Sequence, residues 1–286
     1  MRKLFILAVL LVLGVGALGP SQGQAFNSGT HIYIAERVFP FAFDKINLYY
    51  GSIAPDLSSY VAGVWPNAFC DTHYKFIKLP GSWPNLTQRA FAKGWQTHNE
   101  IWAADYYAHG TCTCFDACFN KNCSYNGYVE FQAEELMDSF PILNAALAHF
   151  AIETAIDILL ARYHEPGLGL KLRWAAKYRS QLDFNLMLQT FVTDGGPSQE
   201  TLQTAEDTFR EIVIAYASAL ALPDPLRMIA ISELGVQIAA QINVMITTYQ
   251  VWEILRVAMY LCQESDYMDV IQSAIEGIRR NPGLIR

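Results

Sequence analysis

Charged residues are scarce in this chain. Of its 286 residues 16% are charged and 52% hydrophobic. That balance suits one large domain, or two small ones, with a sizeable core. Basic residues are also outnumbered, with 20 Lys and Arg against 27 Asp and Glu and a formal net charge of −7. A surface of that sign argues against a protein that grips long nucleic acid through phosphate contacts, although a short-reach nuclease stays open. Strand-like alternation of useful length is missing, and so is any internal repeat. Beyond the first 20 residues no apolar run reaches the roughly 18 residues of a membrane-spanning helix.

The N-terminus is the exception to that last absence. Met1, Arg2 and Lys3 precede an apolar run at 4–18, followed by Gly, Pro, Ser and Gln. A positive start, an apolar stretch and a small-residue cleavage site define a secretory signal. Gly23 and Ala25 occupy the minus-three and minus-one positions, so residues 1–25 are expected to leave and the mature chain to run as one domain from Phe26 to Arg286. Loss of Arg2 and Lys3 would take the charge from −7 to −9. The expected location is secreted or periplasmic. No cysteine follows the apolar run closely, which argues against a lipoprotein anchor.

Cysteine is also sparse and unevenly placed. Cys112, Cys114, Cys118 and Cys123 crowd one short segment, while Cys70 and Cys262 lie far away. An even count in an oxidising compartment favours disulfides tying down that segment, with connectivity open. A four-thiolate zinc site in the cluster is the rival.

What the chain does have is helical periodicity. Asn27, Ser28 and Thr30 are candidate N-caps for a first helix that Pro40 ends or bends. A loop with GSIAPDL follows, and residues 60–83, rich in Pro, Gly and aromatics, read as a long irregular connection holding His73. Another helix is expected from about Gln88, capped by Asn85 or Thr87. Periodicity resumes at Val129 and continues to about Arg279, broken by Pro141, Pro166, Gly195-Gly196-Pro197, Pro223 and Pro225. The fold class is all-α, a multi-helix bundle.

Two helical stretches carry unusual chemistry. GWQTHNEIWAADYYAHG at 94–110 holds His98, Glu100, Asp105 and His109, and Asp105 and His109 share a face at a spacing of four. Stacked His and Asp on a helix can begin a metal site; they are equally compatible with an amphipathic helix bearing solvated groups. The second stretch, AALAHFAIETAIDILLA at 145–161, is apolar nearly all round and should be buried. His149, Glu153 and Asp157 nevertheless form one stripe along it. Burying two carboxylates and an imidazole without partners costs several kcal/mol, of order ~3 or more. A cation would resolve that cost, as would a hydrogen-bonded network or an arginine.

The chain has six histidines. His164, at a helix end, reads as a dipole partner or surface residue. His31, His73, His98, His109 and His149, together with Asp56, Asp105 and Glu153, exceed what one four-coordinate zinc can use and suggest a multinuclear site.

In order, these motifs are Phe26 with His31, GSIAPD with Asp56, His73, His98…Asp105…His109, and His149 with Glu153. This order resembles the zinc-dependent phospholipase C family and its relatives, the glycosylphosphatidylinositol-specific phospholipase D and the fungal single-strand-specific zinc nucleases. The resemblance covers residues 26–157 and implies an all-α bundle holding up to three zinc ions. It implies that Asp56, His73 and His98 hold one zinc and that Asp105 bridges to a second. His31 and the α-amino and carbonyl groups of Phe26 would complete that second site, and His109, His149 and Glu153 would hold the third. The family usually begins with Trp where this chain has Phe26, but only backbone groups are needed there. A larger departure is the step from His98 to Asp105, seven residues where the family has four. On a straight helix seven residues rise about 10.5 Å, too far for one metal. A helix interrupted between Asn99 and Ala103, a bulge, or Glu100 as a substitute ligand are the alternatives.

By the same resemblance the expected activity is phosphodiester hydrolysis by metal-activated water, of phospholipase C or D type, with Asp56 as a proton acceptor. Three zinc ions against Asp56, Asp105 and Glu153 leave a site of about +3 that suits an anion. Asp157 is expected to orient a ligand histidine. Phospholipid or another phosphodiester is the expected substrate, with peripheral contact to a membrane surface. Tyr60, Trp65, Phe76, Trp83, Trp95, Trp102, Tyr106 and Tyr107 could cage a choline group, stack a base, or simply be core. A zinc nuclease and a non-catalytic exported zinc-binding protein are the alternative readings.

Overall fold

The structure is a computed structural model that describes residues 27–61, 63–80, 85–110, 127–241 and 243–285. Residues 1–26, with the expected leader and Phe26, lie outside the described residues, as does the cluster Cys112, Cys114, Cys118 and Cys123. The described chain is all-α and contains no strand. None of its helices is long and apolar enough to cross a membrane.

The first half runs through α1 (Ser28–Val38), α2 (Lys45–Ile53), a 3-10 turn (Ala54–Tyr60), the short α3 (Ala68–Cys70), α4 (Leu86–Trp95) and α5 (Ala104–His109). The second half comprises α6 (Tyr128–Ser139), α7 (Ala145–Tyr163), α8 (Leu168–Tyr178), α9 (Gln181–Phe191), α10 (Gln199–Leu220), α11 (Leu226–Gln241), α12 (Thr248–Glu264) and α13 (Tyr267–Arg280). Side-chain caps set many of the starts. Asn27, Asp44, Asn85, Asn144, Ser180 and Ser198 each accept from a backbone N–H of the first turn, and Thr247 closes a capping box with Gln250.

Helix α7 is buried along almost its whole length and packs against α1, α6, α8, α10 and α12. Its apolar circumference explains that central position. Elsewhere, α2 and α4 pack with their backbones in contact. An alanine Cβ at Gly51 would lie 2.1 Å from the Phe91 carbonyl oxygen, and one at Gly94 would lie 2.0 Å from that of Leu48. Only glycine allows this approach.

The connection at 60–83 is less irregular than its composition suggests. It contains α3, which continues as one π-helical turn (Asp71–Lys75) bearing His73. The aromatic residues there are largely structural. Trp65 and Trp95 are buried and pack on Phe191, with ring centroids 5.1 and 5.6 Å away. Their indole N–H groups donate to Asp71 (2.9 Å) and the Phe76 carbonyl (2.8 Å), so neither is free to stack on a ligand. Cys262 is buried on α12 as a free thiol, pushed up to about 12 by burial, so the six cysteines do not all pair.

Candidate metal centre

The step from His98 to Asp105 is resolved by breaking the helix. α4 ends at Trp95 and α5 begins at Ala104. Asn99 organises the gap. Its Oδ1 accepts from Ile101 N and Trp102 N, both at 3.0 Å, and its Nδ2 donates to the Gln96 carbonyl at 2.8 Å. Ala104 N donates to Thr97 O at 3.0 Å and Asp105 N to His98 O at 3.3 Å. The chain thereby folds back, and the seven-residue rise vanishes.

His98 and Asp105 consequently face one group of side chains drawn from five segments. Asp105 divides its carboxylate: Oδ1 lies 3.5 Å from His31 Nε2, while Oδ2 lies 3.3 Å from His98 Nε2 and 3.7 Å from His73 Nε2. Asp56 Oδ1 is 3.4 Å from His98 Nε2 and 3.8 Å from His73 Nε2. Two ligand-competent sets result, His31–His98–Asp105 and Asp56–His73–His98, both fully buried and sharing His98. A third buried set brings His109, His149 and Glu153 together. There His149 Nε2 lies 3.0 Å from Glu153 Oε1 and 3.3 Å from His109 Nε2. Of the residues the resemblance assigns, only Phe26 is missing from these sets, and it lies outside the described residues.

The ring tautomers leave nitrogens that suit a cation. His98 Nδ1–H donates to the Ser52 carbonyl at 2.7 Å, which can only accept. Thr72 Oγ1 spends its proton on the Ala68 carbonyl (2.9 Å), so it accepts from His73 Nδ1–H at 2.7 Å. Both Nε2 atoms are then bare, yet they face each other at 3.1 Å. Two lone pairs at that distance repel unless a proton or a cation lies between them. His109 Nδ1–H donates to Glu100 Oε1 at 2.7 Å, which leaves its Nε2 bare toward His149 Nε2, itself 3.0 Å from Glu153 Oε1. Four nitrogens or oxygens at about 2.0–2.1 Å around a tetrahedral zinc stand about 3.3 Å apart. The separations above bracket that value, so the donor set fits such an ion in number, type and spacing.

Burial shapes the charges. It would raise the Asp56 carboxyl, but the adjacent His98 and His73 rings outweigh it and hold the group below the usual carboxylate range. Burial lowers the His73 ring. In the third set burial pushes the Glu153 carboxyl up to about 8. Burial would lower His149, but Glu153 and Glu130 outweigh it and push the ring up to about 10.

Two expectations are corrected. Asp157 does not orient a ligand histidine. It caps the N-terminus of α1, accepting from Gly29 N (2.9 Å), Thr30 N (2.7 Å), Thr30 Oγ1 (2.7 Å) and Tyr216 OH (3.0 Å). The stripe on α7 therefore divides, with His149 and Glu153 in a metal-competent set and Asp157 in a hydrogen-bonded network. Glu100 is not a substitute for Asp105 either, because its carboxylate lies on the Nδ1 side of His109, behind the converging Nε2 atoms. Sequence reasoning also missed Ser52, Thr72 and Glu130, which carry no signal beyond being polar.

No family model, curated protein or solved structure matches the chain.

Proposed function

We propose that this chain is an exported zinc-dependent phosphodiesterase that hydrolyses phospholipids, with three zinc ions in its three buried sets. The observation that carries the reading is the pair of facing Nε2 atoms in two separate places, each ringed by buried carboxylates. The order of the motifs, which resembles the zinc-dependent phospholipases C and D, supplies the substrate class.

His31 and Asp105 would hold one ion, with the backbone of Phe26 if the leader is removed, because the single bare nitrogen of His98 serves the second. Asp56, His73 and His98 would hold the second, and His109, His149 and Glu153 the third. Bound zinc would supply positive charge for the phosphodiester oxygens and acidify water toward a pKa of about 7. Asp56, buried beside His73 and His98, would be the proton acceptor. Ser52 and Thr72 keep both rings in the tautomer that turns Nε2 inward. Asp157 caps the first turn of α1. Trp65 and Trp95 belong to the core, so headgroup recognition falls to other residues.

The test is zinc content of the exported protein together with its N-terminal residue, then assays on phosphatidylcholine, phosphatidylinositol and single-stranded DNA. The expected outcome is about three zinc ions, a chain starting at Phe26, and chelator-sensitive lipid hydrolysis. Asp105→Asn should lose more than about 100-fold in activity, since even partners behind the ligands cost 10–100-fold. Hydrolysis of DNA alone would favour the nuclease reading, and full zinc occupancy without turnover would favour a binding protein. Full activity of Asp105→Asn would remove the proposed centre.

A further inference from the structure

The histidines of the three sets are not supported alike. His98 and His73 donate their Nδ1 protons to neutral oxygens, those of Ser52 and Thr72. The two rings of the third set are instead backed by carboxylates. Glu100 Oε1 accepts from His109 Nδ1 at 2.7 Å, and Glu130 Oε1 lies 3.4 Å from His149 Nδ1. An anionic acceptor behind the ring makes the opposite nitrogen a stronger donor to a cation and fixes its direction. Glu100 is also the better-held partner. Its side chain is 1% exposed against 31% for Glu130, and its own backbone N–H donates to the His73 carbonyl at 3.3 Å.

Formal charge points the same way. Glu100, Glu130 and Glu153 surround the third set, three negative charges for one divalent ion. Asp56 and Asp105 provide two for the two ions of the other sets. The third set thus brings more described carboxylates to one ion than the joined His31/Asp56/His73/His98/Asp105 centre brings to each of its own. We infer that Glu100 is a positioning residue for His109 and that it makes the third set the tightest of the three cation sites. The segment that breaks the helix after Trp95 thus serves every set: it carries His98, bends Asp105 into the shared centre, and places a carboxylate behind His109. This inference rests on the zinc reading proposed above.

The test uses the exported full chain loaded with zinc and dialysed against graded chelator, with ions per chain read by atomic emission. In the wild type one ion should outlast the other two, and His109→Ala should remove that ion. Glu100→Gln keeps a hydrogen-bond acceptor of the same shape without the charge. It should weaken that one ion by about 10–100-fold and leave the other two unchanged. Glu130→Gln, at a longer and more exposed contact, should weaken the same ion less; it carries the test if Glu100→Gln does not fold by circular dichroism. In a His109→Ala background Glu100→Gln should alter nothing further. A wild type with three ions and a Glu100→Gln variant that releases them at the same chelator levels would overturn the inference alone. Loss of all three ions in a folded Glu100→Gln protein would overturn it too, by making the role general. A wild type that binds no zinc would overturn the metal reading along with it.

Discussion

At the scale of single residues, the informative feature is which buried polar groups find neutral donors and which do not. Asp157 is satisfied by four donors from α1 and α10. Glu153, one turn earlier on α7, faces two imidazoles instead. The sequence shows both as carboxylates in an apolar helix and cannot separate them, because the donors to Asp157 lie up to 128 positions away. Asp183 is a third case, buried in the first turn of α9 and remote in sequence from any expected ligand. Burial and the nearby Asp44 push its carboxyl up to about 8, from 3.8 for an ordinary aspartate. Between those values the folded state keeps a proton that the unfolded chain releases, so stability falls as pH rises from about 4 to 8. The slope is at most about 1.4 kcal/mol per pH unit. Urea unfolding should therefore find Asp183→Asn more stable than the wild type at pH 8, with the gap closing toward pH 4. A gap that stays constant across that range would contradict the assignment.

At the scale of elements, α2 and α4 decide whether the shared centre can assemble. Their backbones touch through Gly51 and Gly94, and the bond from His98 Nδ1 to the Ser52 carbonyl spans the end of that contact. Asp56 follows α2 by one 3-10 turn, and His98 follows α4 by three residues. A methyl at position 94 must push the two helices apart, since the carbonyl it meets is backbone and cannot rotate away. Gly94→Ala should cost about 1–3 kcal/mol in denaturant unfolding and lower the zinc content. An alanine variant of unchanged stability and full zinc content would show that the close approach does not matter. Helical periodicity made α1, α4 and the helical run from Val129 onward readable, whereas α2, whose last turn holds Gly51, and α3 fall where loop was expected. The break at 96–103 was readable only as a requirement of the metal spacing; its form depends on Asn99 and on bonds that join residues seven apart. The turn of π-helix that carries His73 was hidden by the surrounding Pro, Gly and aromatic residues.

At the scale of the molecule, three groups of buried carboxylates and imidazoles stand within a bundle whose interior is otherwise aliphatic and aromatic. The bare nitrogens among them repel unless a proton or a cation lies between them, so ion binding and folding should be linked. An ion present at about 100 times its dissociation constant contributes about 2.7 kcal/mol to stability. Since 1 kcal/mol moves the midpoint of a domain of this size by roughly 2–4 °C, chelator should lower the melting temperature by more than about 10 °C. Calorimetry with and without chelator checks this, and an unchanged melting curve would count against cations in the three sets.

The sequence alone determined the helical class, because apolar residues recur with the period of a helix over nearly the whole chain and turn residues mark most of the ends. It also singled out the unusual polar residues, since His, Asp and Glu inside apolar helices are costly wherever they end up. Tertiary structure decided which of them meet. His31, Asp56, His73, His98 and Asp105 are spread over 75 positions of sequence and converge only because α1, the 3-10 turn after α2, the π-helical turn after α3, the break after α4 and the start of α5 meet at one point. It also decided what each carboxylate faces: a helix terminus for Asp157, an imidazole nitrogen turned inward for Glu153, and the back of a histidine for Glu100. Those outcomes differ in the direction of a few hydrogen bonds, and direction is set by packing between helices rather than by spacing within one.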